Sequence, residues 1–162
     1  MRAPAFIDQA LFAELTQQAE TRPRLRHHHN FHTMDEPCHR LGIGMQPGTY
    51  IAPHRHLSPD KAETLLVLKG RLGVLFFNEH GGLEATRVLE AGGECVGVDF
   101  PPGHFHSLVV LAADTVVFEC KAGPYRPLSE DEYAPWAPRE GDVQAEVYLG
   151  WMRSHFTDLP LG

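Results

Sequence analysis

The sequence contains no apolar run that approaches the roughly 20 residues needed to cross a bilayer as a helix. Its start also lacks the long apolar core of a secretion signal, because polar residues interrupt it at Gln9, Glu14, Gln17 and Gln18. These two absences argue against an integral membrane protein and a secreted one. We therefore expect a soluble, cytoplasmic protein without a membrane partner.

Basic residues are also scarce. The chain of 162 residues has 14 lysines and arginines against 21 aspartates and glutamates, which gives a formal net charge of −7. A nucleic-acid surface needs clustered Lys and Arg, and the only cluster here is Arg22, Arg24 and Arg26. We therefore expect no nucleic-acid partner.

Cysteine is rare as well, with only Cys38, Cys95 and Cys120 in the chain. An odd number without metal-type spacing provides no disulfide framework, so we expect buried or chemically idle thiols. A chain of this length needs no covalent staple, since one compact domain of this size buries about 70% of its unfolded surface. The prediction is a single domain over residues 1–162.

Short β-rich runs, broken by Gly, Pro and Asn, fill residues 25–122. Regularly spaced short strands are typical of a β-sandwich or barrel. A hairpin is expected across Gly70. The predicted strands are residues 41–45, 49–52, 63–68, 72–77, 85–89, 95–100, 107–111 and 115–120.

A helix is predicted on each side of this β-region. In the N-terminal segment, residues 1–24, Asp8 is a typical N-cap, and the apolar stripe behind it indicates a helix to about Ala19 that covers one end of the barrel. The Pro-rich arm, residues 123–162, is expected to wrap around the barrel. It contains a second helix from Val143 to about Ser154, capped by Asp142.

Histidine, by contrast, is abundant, at 11 residues. His54 and His56 are two residues apart, so on a β-strand both rings point to the same face. Glu63 begins the next predicted strand, and His106 opens a later one after the Pro-Pro-Gly corner at 101–103. Three imidazoles and one carboxylate could therefore converge on one metal ion.

Such a ligand set leaves coordination positions open for a substrate or for oxygen. Histidine and carboxylate ligands with open positions are typical of non-haem iron, but they also suit manganese, nickel, cobalt, copper and zinc. The pattern therefore predicts one divalent transition metal ion, such as iron, manganese, nickel or zinc, whose identity stays open. Open positions indicate chemistry or ligand capture.

The two blocks around these residues resemble the two motifs of the cupin superfamily. This resemblance implies an all-β fold, a single double-stranded β-helix or jelly-roll barrel, with His54, His56, Glu63 and His106 as metal ligands. The sequence departs from the usual motifs in two ways. Six residues separate His56 from Glu63, more than is usual, which could put Glu63 out of reach, and Val110 stands where the second motif often ends in Asn.

Within the superfamily, the sequence is most similar to the WbuC-type cupin-fold metalloproteins. The similarity lies in His29-Asn30-Phe31-His32, in residues 54–64, and in the tail segments 121–125 and 133–141. Members of that family are associated with bacterial surface-polysaccharide gene clusters. The resemblance thus implies a small polar ligand or substrate, such as a sugar or sugar nucleotide, and a homodimer.

Proton transfer would require a second group beside the metal. Glu119 lies in an apolar strand, where burial would raise its pKa, although an ion pair with a nearby cation is an equally open interpretation. His104 is expected to neighbour the pocket and to orient a ligand or a water molecule. The full set of catalytic candidates is Tyr50, Lys61, His104, Glu119 and Lys121.

Several other residues have two open interpretations. His29 and His32 are expected to bond to the backbone, with a pocket role as the alternative. Tyr125, Tyr133 and Trp136 are expected to anchor the arm, with the pocket mouth as the alternative. Histidines with no predicted convergent partner are His39, His80 and His155.

Three function classes remain open from the sequence. The first is a metal-dependent enzyme that isomerises or epimerises a small polar molecule. The second is a metal-dependent dioxygenase, and the third is a non-catalytic module that binds or senses a small molecule through the metal. A metal-free sugar epimerase needs no set of three histidines and one glutamate, so the motif argues against it.

Overall fold

The computed structural model describes residues 3–156, which form two antiparallel β-sheets and two flanking α-helices. The helices are α1 (Gln9–Thr21) and α2 (Ala145–Ser154), and a 3-10 turn spans Glu130–Glu132. The strands are β1 (Arg26–Asn30), β2 (Cys38–Met45), β3 (Glu63–Lys69), β4 (Arg71–Phe77), β5 (Leu83–Glu90), β6 (Gly97–Phe100), β7 (Phe105–Val110) and β8 (Thr115–Ala122).

One sheet has five strands in the order β1-β2-β8-β3-β6, and the other has three in the order β5-β4-β7. The main core fills the space between the sheets, because alternate residues of each strand point inward: Ile43 and Leu65 from the larger sheet meet Leu72 and Leu108 from the smaller. This is the predicted all-β jelly-roll fold, and it is confirmed.

Helix α1 begins where the sequence predicts, because the Asp8 carboxylate accepts a hydrogen bond from the backbone N–H of Leu11 (3.0 Å). The helix does not cover a barrel end, however. Phe12 and Leu15 pack on the outer face of the larger sheet, where a Cβ at Gly44 would collide with the Leu15 backbone. The expected position of the helix was wrong. Because Gly44 has no side chain, the helix can approach the outer face of β2 closely and pack there.

The predicted hairpin across Gly70 is also wrong, since β3 and β4 lie in different sheets. Gly70 has a φ of +78°, and a Cβ there would lie 2.5 Å from Thr115 Oγ1, so the chain turns a tight corner from one sheet to the other. β6 begins at Gly97 rather than at Cys95.

Residues 49–52 do not form the predicted strand. Their polar groups bond to side chains and turns instead of a neighbouring strand. Thr49 Oγ1 donates to the Arg24 carbonyl (2.7 Å), and the Ile51 carbonyl accepts from Ser107 Oγ (2.6 Å). The segment is therefore held in place without the backbone hydrogen bonds that join neighbouring strands of a sheet.

In the described part of the C-terminal arm, residues 123–156, helix α2 packs on the outer face of the smaller sheet. Leu149 and Met152 of α2 belong to the same buried cluster as Leu75 and Val109. The helix starts two residues later than predicted, because Asp142 forms a separate turn before it. The Asp142 side chain accepts a hydrogen bond from the N–H of Gln144, and its backbone carbonyl accepts one from the N–H of Ala145. Among the described residues, neither helix is long and apolar enough to span a membrane.

Candidate metal centre

His54 and His106 are brought together by their backbones. The N–H of His54 donates to the His106 carbonyl (3.1 Å), and the N–H of His106 donates to the His54 carbonyl (2.9 Å). This isolated bridge places the two ring centroids 4.5 Å apart. The predicted regular strand through His54 and His56 is absent, because the backbone here pairs only at His54, with β7 and with Tyr133.

The third imidazole, His56, completes a cluster. Its ring centroid lies 5.4 Å from that of His54 and 6.1 Å from that of His106. One ligand atom from each of the three rings lies within 4.8 Å of the other two. Nitrogens that bind one ion at about 2.1 Å lie roughly 3–3.5 Å apart, so small side-chain rotations would close this cluster around a cation.

Glu63 lies beside these rings in spite of the long spacing. Its Oε2 is 3.1 Å from Nε2 of His56 and 4.0 Å from Nε2 of His106. As the first residue of β3, Glu63 pairs with Phe100 on β6 and with Lys121 on β8, which fixes its position. The extra residues of the motif are taken up in the turn at Ser58–Lys61, so the spacing does not put Glu63 out of reach of the histidines.

The ring orientations of His54 and His106 suit metal ligands. Nδ1 of His54 is 2.9 Å from the Ala52 carbonyl, and Nδ1 of His106 is 3.0 Å from the His104 carbonyl. A carbonyl only accepts, so each Nδ1 carries the proton and each neutral ring presents a free lone pair on Nε2. A backbone carbonyl that fixes the tautomer in this way is a common partner of metal-bound histidine.

The charges at the cluster are those that a cation requires. Burial lowers the pKa of His54 to about 3, with the nearby His106 acting in the same direction, and burial also lowers the pKa of His106. Burial alone would raise the pKa of Glu63, but the hydrogen bond with His56 and the charge of Lys121 bring it well below its usual range. At neutral pH the cluster therefore offers the uncharged rings of His54 and His106 and the carboxylate of Glu63.

Two further charged residues on β8 adjoin the cluster. Lys121 Nζ lies 2.6 Å from Glu119 Oε1 and 4.0 Å from Glu63 Oε2. Burial and the charge of Glu63 raise the pKa of Glu119 to about 7, while burial of Lys121 is outweighed by the two carboxylates, which raise its pKa to about 12. The two interpretations that the sequence left open for Glu119 therefore do not exclude each other. Glu119 is buried with a raised pKa, and it also lies in an ion pair with Lys121.

A cavity of about 250 Å³ opens beside the cluster, between the sheets. Its floor is the inner face of the larger sheet and its far wall comes from β7 and the segment before His54. A cleft of about 540 Å³ approaches His54 and His56 from the arm side. The cavity is lined by polar or charged residues that include Arg24, Arg26, His28, Asn30, His32, His39, His54, Glu63, His106, Glu119 and Lys121.

The structure separates the other catalytic candidates. Lys61 lines the cleft, where its Nζ donates to the carbonyls of Ala122 (2.9 Å) and Pro124 (3.2 Å) and so holds the arm. Tyr50 does not line the cavity or the cleft; its hydroxyl donates to the Pro138 carbonyl (2.7 Å) within the buried cluster under the arm. The His104 side chain is exposed and lines neither space, so this residue contributes its carbonyl to His106 rather than a pocket side chain.

Several residues were not predicted from the sequence to face the cavity. Arg26, His28 and Asn30 alternate along β1 and face the cavity, a pattern that can be recognised only once β1 is known to be a strand. His39 also has a partner, contrary to expectation, because its ring stacks on His32 at 4.0 Å. His32 accepts from the Arg40 N–H (2.9 Å), as predicted, and lines the cavity as well.

The aromatic residues of the arm divide between the two roles that the sequence left open. Trp136 anchors the arm, with its ring 5.0 Å from Phe77 and 5.8 Å from Phe105. Tyr125 instead lines both the cavity and the cleft, and Tyr133 lines the cleft. The arm therefore forms part of the cavity mouth.

The fold and site together define a cupin-fold protein with a histidine cluster that could hold a metal ion. By sequence profile, the chain belongs to a family described as a domain of unknown function, DUF6016, whose profile matches residues 7–89. No curated protein matches the chain significantly. The narrower expectation of a WbuC-type protein stays a prediction.

Solved structures share the fold. A conserved protein of unknown function from Streptococcus pyogenes is 15% identical, with a TM-score of 0.52 over 78% of this chain and 93% of its own. Procruciferin, an 11S globulin from Brassica napus, is 14% identical, with a TM-score of 0.51 over 64% of this chain and 27% of its own. An RmlC-like cupin from Shewanella frigidimarina is 18% identical, with a TM-score of 0.47 over 62% and 78%. For the first two, at these identities, the similarity concerns the fold alone.

Proposed function

We propose that this protein binds one divalent transition metal ion through His54, His56, Glu63 and His106, and that it is a metal-dependent enzyme acting on a small polar metabolite. The observation that carries the proposal is the pair of Nδ1–H bonds to backbone carbonyls, which leaves Nε2 of His54 and of His106 unprotonated. The Glu63 carboxylate supplies the negative charge that a cation requires.

An enzyme is favoured over a simple binding module because charged side chains adjoin the cluster at the edge of the cavity. A metal ion, when bound, would polarise an oxygen atom of the substrate. Lys121 and Glu119 are the residues that would bind and orient the substrate beside it, since both line the cavity. An inert ligand site would not require an ion pair within the apolar interior, where desolvation of charge is costly.

The cavity limits the size of the substrate. At about 30 Å³ for each water molecule, 250 Å³ corresponds to roughly eight waters, which accommodates a small metabolite such as a single sugar. The cleft outside it is lined by three cations, Lys61, Lys121 and Arg126, and by one carboxylate, Glu132, although the chain as a whole is acidic. These cations suit a phosphate or carboxylate group, so a sugar nucleotide or an acidic sugar of bacterial surface-polysaccharide metabolism fits the space.

Two alternatives make different predictions. A metal-dependent dioxygenase would prefer iron and consume oxygen in the presence of its substrate. A binding or sensing module would show saturable ligand binding without product. Cytoplasmic location and a homodimer also remain part of the proposal.

The direct test measures metal content. The protein is expressed without a His-tag, purified without a metal column, and analysed by plasma mass spectrometry, with about one equivalent of a transition metal expected. The double variant His54→Ala/His56→Ala should lose the metal and remain folded by circular dichroism. His80→Ala is the matched control, because His80 is exposed in a turn held by its backbone N–H and should leave metal content unchanged.

Equal metal content in the wild type and the double variant would contradict the site. Negligible metal in the wild type after incubation with iron, manganese, nickel and zinc would contradict metal binding itself. If metal is bound, Glu119→Gln and Lys121→Met test the enzyme proposal: both should impair product formation while metal content stays near one equivalent.

A further inference from the structure

Two of the three cysteines meet on the outer face of the larger sheet. β2 and β8 pair with Cys38 opposite Ala122 and Arg40 opposite Cys120, which makes Cys38 and Cys120 diagonal neighbours. Their Sγ atoms lie 3.8 Å apart. The sequence predicted idle thiols. In the structure, however, two cysteines that are 82 residues apart in the chain bring their sulfur atoms into contact.

The short distance between the two sulfur atoms is the observation that points to a covalent bond. A disulfide needs sulfur atoms about 2.0 Å apart, so the two side chains must approach by roughly 1.8 Å. Cys38 is the first residue of β2 and is exposed, so rotation of its side chain meets solvent rather than packed core. Cys120 is partly buried in the middle of the sheet and is the more fixed of the two.

We propose that Cys38 and Cys120 are a thiol oxidation site that forms a reversible intramolecular disulfide with a peroxide as oxidant. The exposed Cys38 thiolate attacks one peroxide oxygen, the O–O bond breaks, and Cys38 becomes a sulfenic acid as the first water leaves. The Cys120 sulfur then attacks the sulfenic sulfur and displaces hydroxide, which leaves as the second water with the released proton. In total, two thiols and one hydrogen peroxide give one disulfide and two waters.

The order of the two steps follows from the surroundings of each thiol. Burial, together with the hydrogen bond to Cys38, raises the pKa of the Cys120 thiol. A thiol with a raised pKa and little exposure is a poor first target for peroxide, but it is well placed to resolve a sulfenic acid in contact with it. Cys38, which is exposed, is the accessible partner.

The third cysteine provides an internal control. Cys95 Sγ donates to the Gly97 carbonyl at 3.5 Å, and among the described residues no other sulfur is recorded in contact with it. The proposed site is also independent of the metal centre. Glu119 and Lys121 point into the cavity, whereas Cys120, between them on β8, points to the opposite face.

The experiment titrates the full-length protein with hydrogen peroxide and measures intact mass and alkylatable thiols under denaturing conditions. The wild type should lose two thiols and two hydrogen atoms, peptide mapping should identify Cys38 joined to Cys120, and dithiothreitol should restore both thiols. Cys95→Ser should lose the same two thiols. Because the bond closes a long loop of the unfolded chain, the oxidised form should melt about 5–15 °C higher than the reduced form.

The single variants test the mechanism. In Cys120→Ser, Cys38 should stop at a sulfenic acid that dimedone traps, and in Cys38→Ser no disulfide should form. The variant His54→Ala/His56→Ala should still form the disulfide, which separates thiol chemistry from oxidation driven by a bound metal. Formation of sulfinic or sulfonic acid without a disulfide, cross-linking between two chains on a non-reducing gel, or a disulfide that includes Cys95 would each overturn the proposal.

Discussion

The backbones of His54 and His106 donate to each other's carbonyls, at 3.1 and 2.9 Å, although 52 positions separate the residues in the chain. This pair of hydrogen bonds joins an irregular segment to β7 at one point. It fixes the backbone position from which each imidazole side chain extends. Each ring is then turned by a second hydrogen bond from Nδ1 to a carbonyl two residues earlier. The ligand geometry is therefore set mainly by the main chain.

Replacement of Glu63 by Gln should weaken metal binding. The change keeps the shape of the side chain but removes the negative charge beside His56 and His106. We expect metal affinity to fall by at least ~10–100-fold, the range observed when weaker supporting contacts of a metal site are lost. Competition with a chromogenic chelator measures this, and Glu84→Gln, at an exposed position on β5, is the control. An affinity equal to that of the wild type would remove Glu63 from the ligand set.

Glu140 should make the stability of the protein depend on pH. Its carboxylate accepts from Arg24 (2.7 Å) and Arg26 (2.8 Å), and this ties the arm to the start of β1. Burial would raise the pKa of Glu140, but the bonds from Arg24 and Arg26 bring it below its usual value. A carboxylate with a lowered folded-state pKa stabilises the fold above the unfolded pKa and loses this contribution as the pH falls through the folded one.

We therefore expect Glu140→Gln to reduce the free energy of unfolding at pH 7 by about 1 kcal/mol, a modest value because the carboxylate is partly exposed. The difference from the wild type should shrink as the pH falls below about 4.5. Urea unfolding at a series of pH values measures both quantities. A difference that grows toward acid would show that the sign is wrong.

Tyr50→Phe should affect stability but not metal content. The hydroxyl donates to the Pro138 carbonyl under the arm, and its loss should cost about 1 kcal/mol of unfolding free energy. Tyr50 does not line the cavity, so metal content and ligand binding should be unchanged. Chemical denaturation and plasma mass spectrometry on the same sample check this. A large loss of activity with normal stability would return Tyr50 to the catalytic candidates.

Gly70→Ala should be destabilising for two reasons. Its φ of +78° is costly for a residue with a side chain, and the new Cβ would lie 2.5 Å from Thr115 Oγ1. We expect a loss of about 2–4 kcal/mol of unfolding free energy, measured by urea denaturation. Gly92→Ala is the matched control, with a φ of +75° and no atom within 4 Å of the new Cβ, so it isolates the backbone cost at about 1 kcal/mol. Equal losses of unfolding free energy in the two variants would mean that small shifts remove the clash with Thr115 at no energetic cost.

Much of this protein can be predicted from local pattern. Glu63 and His106 are distant in the chain and are singled out by the resemblance to the cupin motifs. Alternating and short apolar runs indicate most of the strands, Asp8 marks the start of α1, and the two-residue spacing marks His54 and His56 as a pair. These features depend on residues close in sequence, whose backbone geometry and side-chain period decide the outcome.

Tertiary structure alone decided which elements meet. The sequence around Gly70 is compatible with a hairpin or with a corner between two sheets, and only the packing against Thr115 selects the corner. Likewise, the stacking of His39 on His32 and the contact of Cys38 with Cys120 follow from the register of neighbouring strands. Strand pairing joins residues that are distant in the chain, and its energy comes from burial and hydrogen bonds that no local pattern records.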